Sequence, residues 1–587
     1  MARSRQQLPV FRGTSLGVPL LSVTALVASL ASGCQADISG GSGKAADGTP
    51  IVATPGGGGG PGTTTTNTPN TPATPVADPT DWFAAVQQAD CKGAQALQRT
   101  RIRRLSTAQW TNTVAQGLGA KPAVTFPADA LSSNTGFNTD ADLNKVNVQL
   151  ANAYFDTGDA LAPAAATAAM QTYACLATNA KDATCNAPFL KDYGAKLFRR
   201  PLTDEETTRY GTFLAAQAAL DPAATAVASV IRAMLLSPNM VYMTELGNSK
   251  PGEVTLTPYE QASLISYTIA DVPPDQLLLQ AAQKGTLNDA TERATHAQRM
   301  LLLPGARAKY ADFWQQYLPV GDITGADAPV AMQVQDEAAQ HFDKIVWQQN
   351  GSFADLATAP YTYGAPALSA VYGTLTPGQN GQLMLPAGQR SGFLTQAAFL
   401  FMPDTASVPH KVVHRGLTIR RRLLCQSPPP PPANLMPTAA DLQPLGADAT
   451  PYESFTAFQM TKPICTACHI TFQPIGLAFE EFDNMGKYQT TYASGKPIIT
   501  SGTLDNAGDA TGPYKDAVDV AQHIGQSKIG EYCFSKQFGE YALGRHLNAS
   551  TEACVIRGAS DLSAHPPVQK LAVVLSDIEA STHRVHN

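Results

Sequence analysis

Three side chains with matched chemistry stand together at Cys465, Cys468 and His469, in the run Cys465-Thr466-Ala467-Cys468-His469. Two thiols three positions apart can each close a thioether on one porphyrin vinyl group. The following imidazole then stands under the iron as its first axial ligand, the pattern of c-type haem attachment. Chance produces such a five-residue pattern on the order of a few times in a thousand chains of this Cys and His content. Two rival chemistries use the same residues: a structural zinc site, or a short-range disulfide with a bystander histidine. Covalent haem c is the preferred cofactor, because the chain also carries export signals.

With His469 as proximal ligand, the sixth position decides what the iron does. A Met or second His there makes a closed, electron-transferring centre, and an open position permits small-molecule chemistry. Met485 is the candidate in the same stretch, sixteen residues beyond His469. Met402, Met460, His410, His414, His523 and His546 are the others. The Pro474 carbonyl is the expected acceptor for the proximal imidazole N–H. Glu480, Glu481 and Asp483 invite a paired-carboxylate hydrolase, but only Glu480 and Asp483 can share a face, and a solvated or capping role is preferred. Neither a nucleophile elbow nor a Gly-rich phosphate loop nor a zinc-protease motif occurs.

The N-terminus reads as an address. Arg3, Arg5 and Arg12 precede an apolar run, Leu16 to Ala31, broken by Gly17 and Pro19. It ends in Leu30-Ala31-Ser32-Gly33-Cys34, similar to a bacterial lipobox with Cys34 as the lipidated residue. Residues 1–33 are thus expected to be a signal peptide, and the protein an outer-membrane or cell-surface lipoprotein; a periplasmic or secreted protein is the runner-up. Residues 34–80, rich in Gly, Thr and Pro, are expected to form a disordered tether, with a reach of roughly 35 Å. No later stretch is long and apolar enough to span a membrane.

The chain has nine cysteines. Setting aside Cys34 and the motif pair leaves Cys91, Cys175, Cys185, Cys425, Cys533 and Cys554, an even set for disulfides in an oxidising compartment. Cys175 with Cys185 and Cys533 with Cys554 are the preferred pairs, and Cys91 with Cys425 is the remainder.

The elements that must position the motif are helical. Ser106 and Gln109 form a capping box, with Leu105 and Trp110 at the staple positions and Gly119 as the stop. Thr203 with Glu206, and Thr257 with Glu260 behind Pro258, repeat the box. Periodicity predicts further helices near 141–175, 224–236, 274–284, 288–303, 333–349, 531–546 and 566–581. Two more are expected over Gly392–Phe401 and Val408–Cys425, and strand patterns are rare, short and mostly near 361–385. Pro428 to Pro432 predict a stiff extended spacer. Arg420-Arg421-Arg422 read as a solvated helix face.

At 587 residues the chain has room for about three or four domains, and hydrophobic content is 44% with a net charge of −6. So weak a charge, with no dense basic face, argues against a nucleic-acid partner. The fold class expected is mainly α. A helical domain over 81–250 and a central one over 251–390 precede a small cytochrome c-like unit over 391–505 and a C-terminal helical domain over 506–587.

Several stretches together resemble the secreted, cytochrome c-like multidomain proteins of planctomycetes and myxobacteria. They are Leu197-Phe198-Arg199-Arg200-Pro201-Leu202-Thr203, Leu236-Ser237-Pro238, Leu256-Thr257-Pro258-Tyr259-Glu260 and Arg415-Gly416, with Tyr541-Ala542-Leu543-Gly544-Arg545 near the end. Between them, after the C-x-x-C-H, come Phe472-Gln473-Pro474-Ile475-Gly476, Phe479-Glu480-Glu481-Phe482-Asp483 and Gly486-Lys487-Tyr488. The resemblance runs from about residue 100 to the C-terminus. It implies a series of domains of unknown function with haem inferred from the same motif. The chain departs from the family at Ile470 to Phe472, where a basic residue and often a Met follow the His.

These readings converge on an exported, lipid-anchored mono-haem protein that passes electrons to a redox partner protein or carries out haem-dependent oxidoreductase chemistry. A surface hydrolase with a structural disulfide or zinc at the motif is one alternative, and a non-catalytic surface binding module another.

Overall fold

Three capping boxes set the helical frame of the N-terminal part. Ser106, Thr203 and Thr257 each accept the amide of the residue three ahead, and Gln109, Glu206 and Glu260 reach back in return. They open the helices Thr107–Leu118, Asp204–Leu220 and Pro258–Ala270, the first closed by Gly119 in the left-handed region at φ 75°. Helices also form over Val148–Thr172, Ala223–Leu235, Gln276–Lys284, Ala290–Leu301, Lys528–Leu543 and Val568–Ser581, where periodicity places them. The expected helix over 333–349 runs as Ala328–Asp343 and ends in a π-helical turn, Lys344–Gln348.

This computed structural model describes residues 81–587 except 92–97, 249–251, 319–327, 365–367, 402–409, 429–448, 462, 562–563, 582 and 587. The leader, Cys34, the tether, Met402 and Pro429 to Pro432 therefore lie outside the described residues. So do the side chains of His410, Met460 and Cys465. The protein is mainly α-helical with a few small sheets. Among the described residues no helix is long and apolar enough to cross a membrane.

Two apolar cores organise the unit Pro75–Asn587. One is built from Leu105 to Tyr267 and is dense in alanine, so Val148–Thr172 and Ala223–Leu235 pack closely. The other gathers Trp82, Phe83 and Phe137 with residues from Ala262 to Ala580. Phe313 is its aromatic hub, meeting Phe137, Tyr317, Phe534, Phe538 and Tyr541 at centroid distances of 5.2–5.8 Å.

Strands occur where the sequence shows no alternation. Arg101–Arg104 pairs antiparallel with Tyr242–Glu245, and Arg584–His586 sits between Gln98–Arg99 and Gly252–Val254. Charge explains these short pairings. Glu245 and Glu579, both fully buried, are neutralised by Arg101, Arg103, Arg545 and Arg584, with Arg584 2.9 Å from Glu579 and 3.1 Å from Glu245. Arg545, Arg584 and Arg101 hold the Glu579 carboxyl well below the usual carboxylate range despite its burial. Three-strand pairing near 361–385 is found as expected.

Three disulfides close, as the even cysteine count predicts, and Cys175–Cys185 is one of them. The other pairings differ from the local choice: Cys91 joins Cys554, and Cys425 joins Cys533. Tertiary packing decides this. Cys533 lies in the helix Lys528–Leu543 and faces the Ile419–Leu423 turn, with its sulfur 3.3 Å from the Arg422 carbonyl. Cys554 belongs to Ala553–Arg557, which packs on the N-terminal helix Trp82–Gln88, and Arg557 donates to the Ala89 carbonyl. Three disulfides mark an oxidising, extracytoplasmic environment.

Candidate functional site

Pro463–Leu477 is one helix, and the whole C-x-x-C-H lies within it. Positions i+3 and i+4 of a helix both neighbour position i, so 468 and 469 flank the turn above 465 on one side of the helix. Cys468 is half-buried and its thiol is free. A disulfide between the two motif cysteines is therefore not formed. The His469 ring is half-buried and packs against Phe472, with centroids 4.9 Å apart. Burial lowers the pKa of His469, while a hydrogen bond with the Gln473 side chain opposes that shift. A neutral imidazole is the form that ligates a metal. Free thiol, neutral imidazole and the shared side of the helix fit covalent haem attachment.

This helix is docked on a partner, His410–Thr418, continued as the π-helical turn Ile419–Leu423. The two run antiparallel. Arg420 Nε donates to the Thr471 carbonyl at 2.6 Å, Arg415 Nη1 to Phe479 at 3.0 Å and Lys411 Nζ to Phe482 at 3.4 Å. Gly416 and Gly476 let the backbones approach at the crossing. This direction puts His414 at the far end of the pair from His469, and His414 is exposed. Position 410 lies beyond it on the same helix.

The remaining sixth-ligand candidates have these places. Met485 sits in the turn Asp483–Lys487, 36% exposed, where the Asp483 carboxylate accepts the amides of Met485 and Lys487. His523 Nδ1 meets the Ala510 carbonyl at 3.1 Å, and His546 Nδ1 lies 2.8 Å from Glu540. The Pro474 carbonyl accepts the Tyr514 hydroxyl at 2.8 Å, so it is engaged elsewhere than at the proximal imidazole. Among the described residues no group of three or more His, Cys, Asp or Glu side chains converges as a metal site.

Two charged groups differ from their expected roles. Glu480 is not solvated but fully buried, paired with Lys411 at 3.3 Å and meeting the Tyr492 hydroxyl at 3.4 Å. Asp483 caps a turn, so the two acids serve the fold rather than forming a carboxylate dyad. The arginine run is not a solvated face either. Arg421 is exposed, but Arg420 is buried and Arg422 half-buried, and both donate to main-chain carbonyls. Arg415 does the same to Leu400, Phe479, Phe482 and Asp483, and burial lowers its pKa to about 10. A carbonyl oxygen left alone at such depth costs stability, and a guanidinium with its five donors satisfies several at once.

Gln473 was legible as a neighbour of His469 from the i, i+4 spacing alone. Tyr514 and Arg420 were not, because each reaches the helix from a distant segment.

Four family models match the chain in sequence order. All four are described as proteins of unknown function: DUF1587 over residues 103–167, DUF1595 over 185–245, DUF1592 over 256–374 and DUF1588 over 390–492. The last span contains Cys465, Cys468, His469 and Met485. No curated protein and no solved structure matches. The chain is thus a multidomain protein carrying four domains of unknown function.

Proposed function

We propose that this protein carries one haem c, bound through Cys465 and Cys468 with His469 as an axial ligand, and that it works in redox chemistry of the cell envelope. The observation that carries the reading is the set of three donor positions on one side of a helix, with a free thiol at Cys468 and a half-exposed imidazole beside it. When bound, the haem supplies a one-electron iron couple. The chain's own contribution is mechanical and electrostatic. Arg420 holds the motif helix through the Thr471 carbonyl, and Arg415 and Lys411 hold the segment that follows it through the Phe479 and Phe482 carbonyls, so the helix is fixed against its partner. Phe472 closes one side of the imidazole.

Lipid attachment at Cys34 places the protein at the outer membrane or cell surface, with the segment to residue 80 as the tether. Electrons pass to or from a partner protein. The three disulfides support the oxidising compartment that this requires.

The test is production of the full chain in a host with and without c-haem maturation machinery. A Soret band that appears only with the machinery supports the proposal. A colourless protein from a competent host overturns it, and zinc bound in its place would revive the structural-metal alternative.

A further inference from the structure

Glu337 is fully buried on the helix Ala328–Asp343, yet only one of its carboxyl oxygens is engaged. Oε1 accepts the hydroxyls of Thr362 and Tyr372, each at 2.6 Å. Oε2, equally buried, has no hydrogen-bond partner among the described residues. The Tyr372 oxygen also accepts the Ala397 amide at 2.7 Å. Over the Tyr372 ring lies Arg390, its guanidinium 4.7 Å from that centroid and 4.6 Å from the centroid of Phe482. Arg390 Nη1 donates to the Thr395 carbonyl at 2.6 Å, and Nη2 donates to the Gly486 carbonyl. Gly486, left-handed at φ 83°, belongs to the Asp483–Lys487 turn and rests against Ala397 and Leu400. A buried acid is thus linked, through one tyrosine and one arginine, to a turn that follows the motif helix.

Few charges surround that acid. Arg390 is the cation that faces it, and Arg390 faces Asp483 as well. His341, one turn along the same helix, is engaged with the Leu356 carbonyl and Gln396. On the packed helix Pro304–Tyr317, Arg307 turns to Asp343, Lys309 to Asp271 and the Tyr310 hydroxyl to the Thr268 carbonyl. Tyr361 and Tyr363 both bond Gln349.

We propose that Glu337 and Arg390 form a proton-operated latch on the Asp483–Lys487 turn. With Glu337 neutral, Arg390 is free to hold the Gly486 carbonyl. Loss of the proton to solvent leaves a carboxylate whose Oε2 has no donor, in a setting where Arg390 is the cation at hand. Attraction between two full charges at low dielectric exceeds that between a charge and a carbonyl dipole. Arg390 then leaves Gly486 for Glu337, and the turn loosens; no covalent bond changes. Burial keeps the proton on Glu337 up to about pH 7, so the latch opens as pH rises through that value. The device needs no haem.

The test is hydrogen–deuterium exchange of the full chain at pH values on either side of 7, corrected for the intrinsic rate and read on peptides covering 483–488. Protection there is expected to be lost as pH rises in the wild type. Peptides from Lys528–Leu543 are expected to keep theirs. Glu337→Gln, which cannot ionise, is expected to hold the turn at every pH. Thr362→Val removes a hydroxyl that favours the carboxylate, so the loss should move to higher pH. The same pH dependence in wild type and Glu337→Gln would overturn the latch, as would an unmoved midpoint in Thr362→Val. Equal loss of protection along the whole chain would overturn it too.

Discussion

Gly416 and Gly476 face each other where the motif helix crosses its partner. A Cβ on Gly416 would stand 1.9 Å from the Phe472 carbonyl oxygen, and one on Gly476 would stand 1.8 Å from that of Val412. Both obstacles are backbone, so neither can yield by a rotamer change. Gly476→Ala is expected to cost roughly 3 kcal/mol or more, at the upper end of overpacking penalties. It should also lower haem loading, because the helix that carries the motif loses its docked position. Denaturant unfolding with haem quantification checks this, and a variant of native stability would count against the crossing.

Glu337 and His341 sit one turn apart on Ala328–Asp343, both fully buried, and titrate in opposite senses. Burial raises Glu337 to about 7, even though the hydroxyls of Thr362 and Tyr372 each donate to it at 2.6 Å. Burial lowers His341 to about 4. The native state keeps the Glu337 proton after the unfolded chain releases it near pH 4.5, so this contribution is full below 4.5 and lost as pH rises through about 7. The His341 contribution is present above 6.5 and lost as pH falls toward about 4. The two partly cancel in the wild type. Glu337→Gln is expected to unmask a steeper rise in stability between pH 4.5 and 6.5, read from urea midpoints. Parallel curves for wild type and variant would refute it.

The buried charge network makes a further prediction. Arg584→Met removes the group shared by Glu245 and Glu579, and leaving a buried carboxylate short of a partner costs roughly 3–5 kcal/mol. Combining it with Glu245→Gln is expected to recover part of that loss, since the surplus charge goes too. Strict additivity in guanidinium unfolding would show that the network is not coupled.

Reduction should weaken the disulfides unequally. The Cys425–Cys533 link spans 108 residues and Cys175–Cys185 spans 10. Loop entropy then gives about 5 kcal/mol for the long link and about 3 kcal/mol for the short one. Paired Cys→Ala variants at 425/533 should therefore lower the melting temperature more than those at 175/185. The reverse order would be evidence against the pairing.

Local signals in the sequence marked much of this fold. The capping boxes at Ser106, Thr203 and Thr257, and the stop at Gly119, act within a few residues and were readable directly. So was Cys175–Cys185, a loop short enough to close on itself. What escaped reading depends on distant chain. Arg199, left-handed at φ 62°, donates to carbonyls of Leu197, Asn239, Met240 and Tyr242, and nothing near it announces that role. Cys533 meets Cys425 only because two helices dock. The short strands around Arg101 and Arg584 follow from shared buried carboxylates, which leave no periodic trace. At the candidate site, the donor types and their spacing were legible, whereas the engagement of Pro474 by Tyr514 waited on the packing of residues 502–514.

The central claim is that one porphyrin is joined covalently to the Cys465–His469 stretch. Haem staining after denaturing electrophoresis tests it most directly, on wild type and on the Cys465→Ser/Cys468→Ser variant matured in the same host. A stained band in the wild type, absent from the variant, is the predicted result. An unstained wild type, or a variant that stains equally, would contradict it.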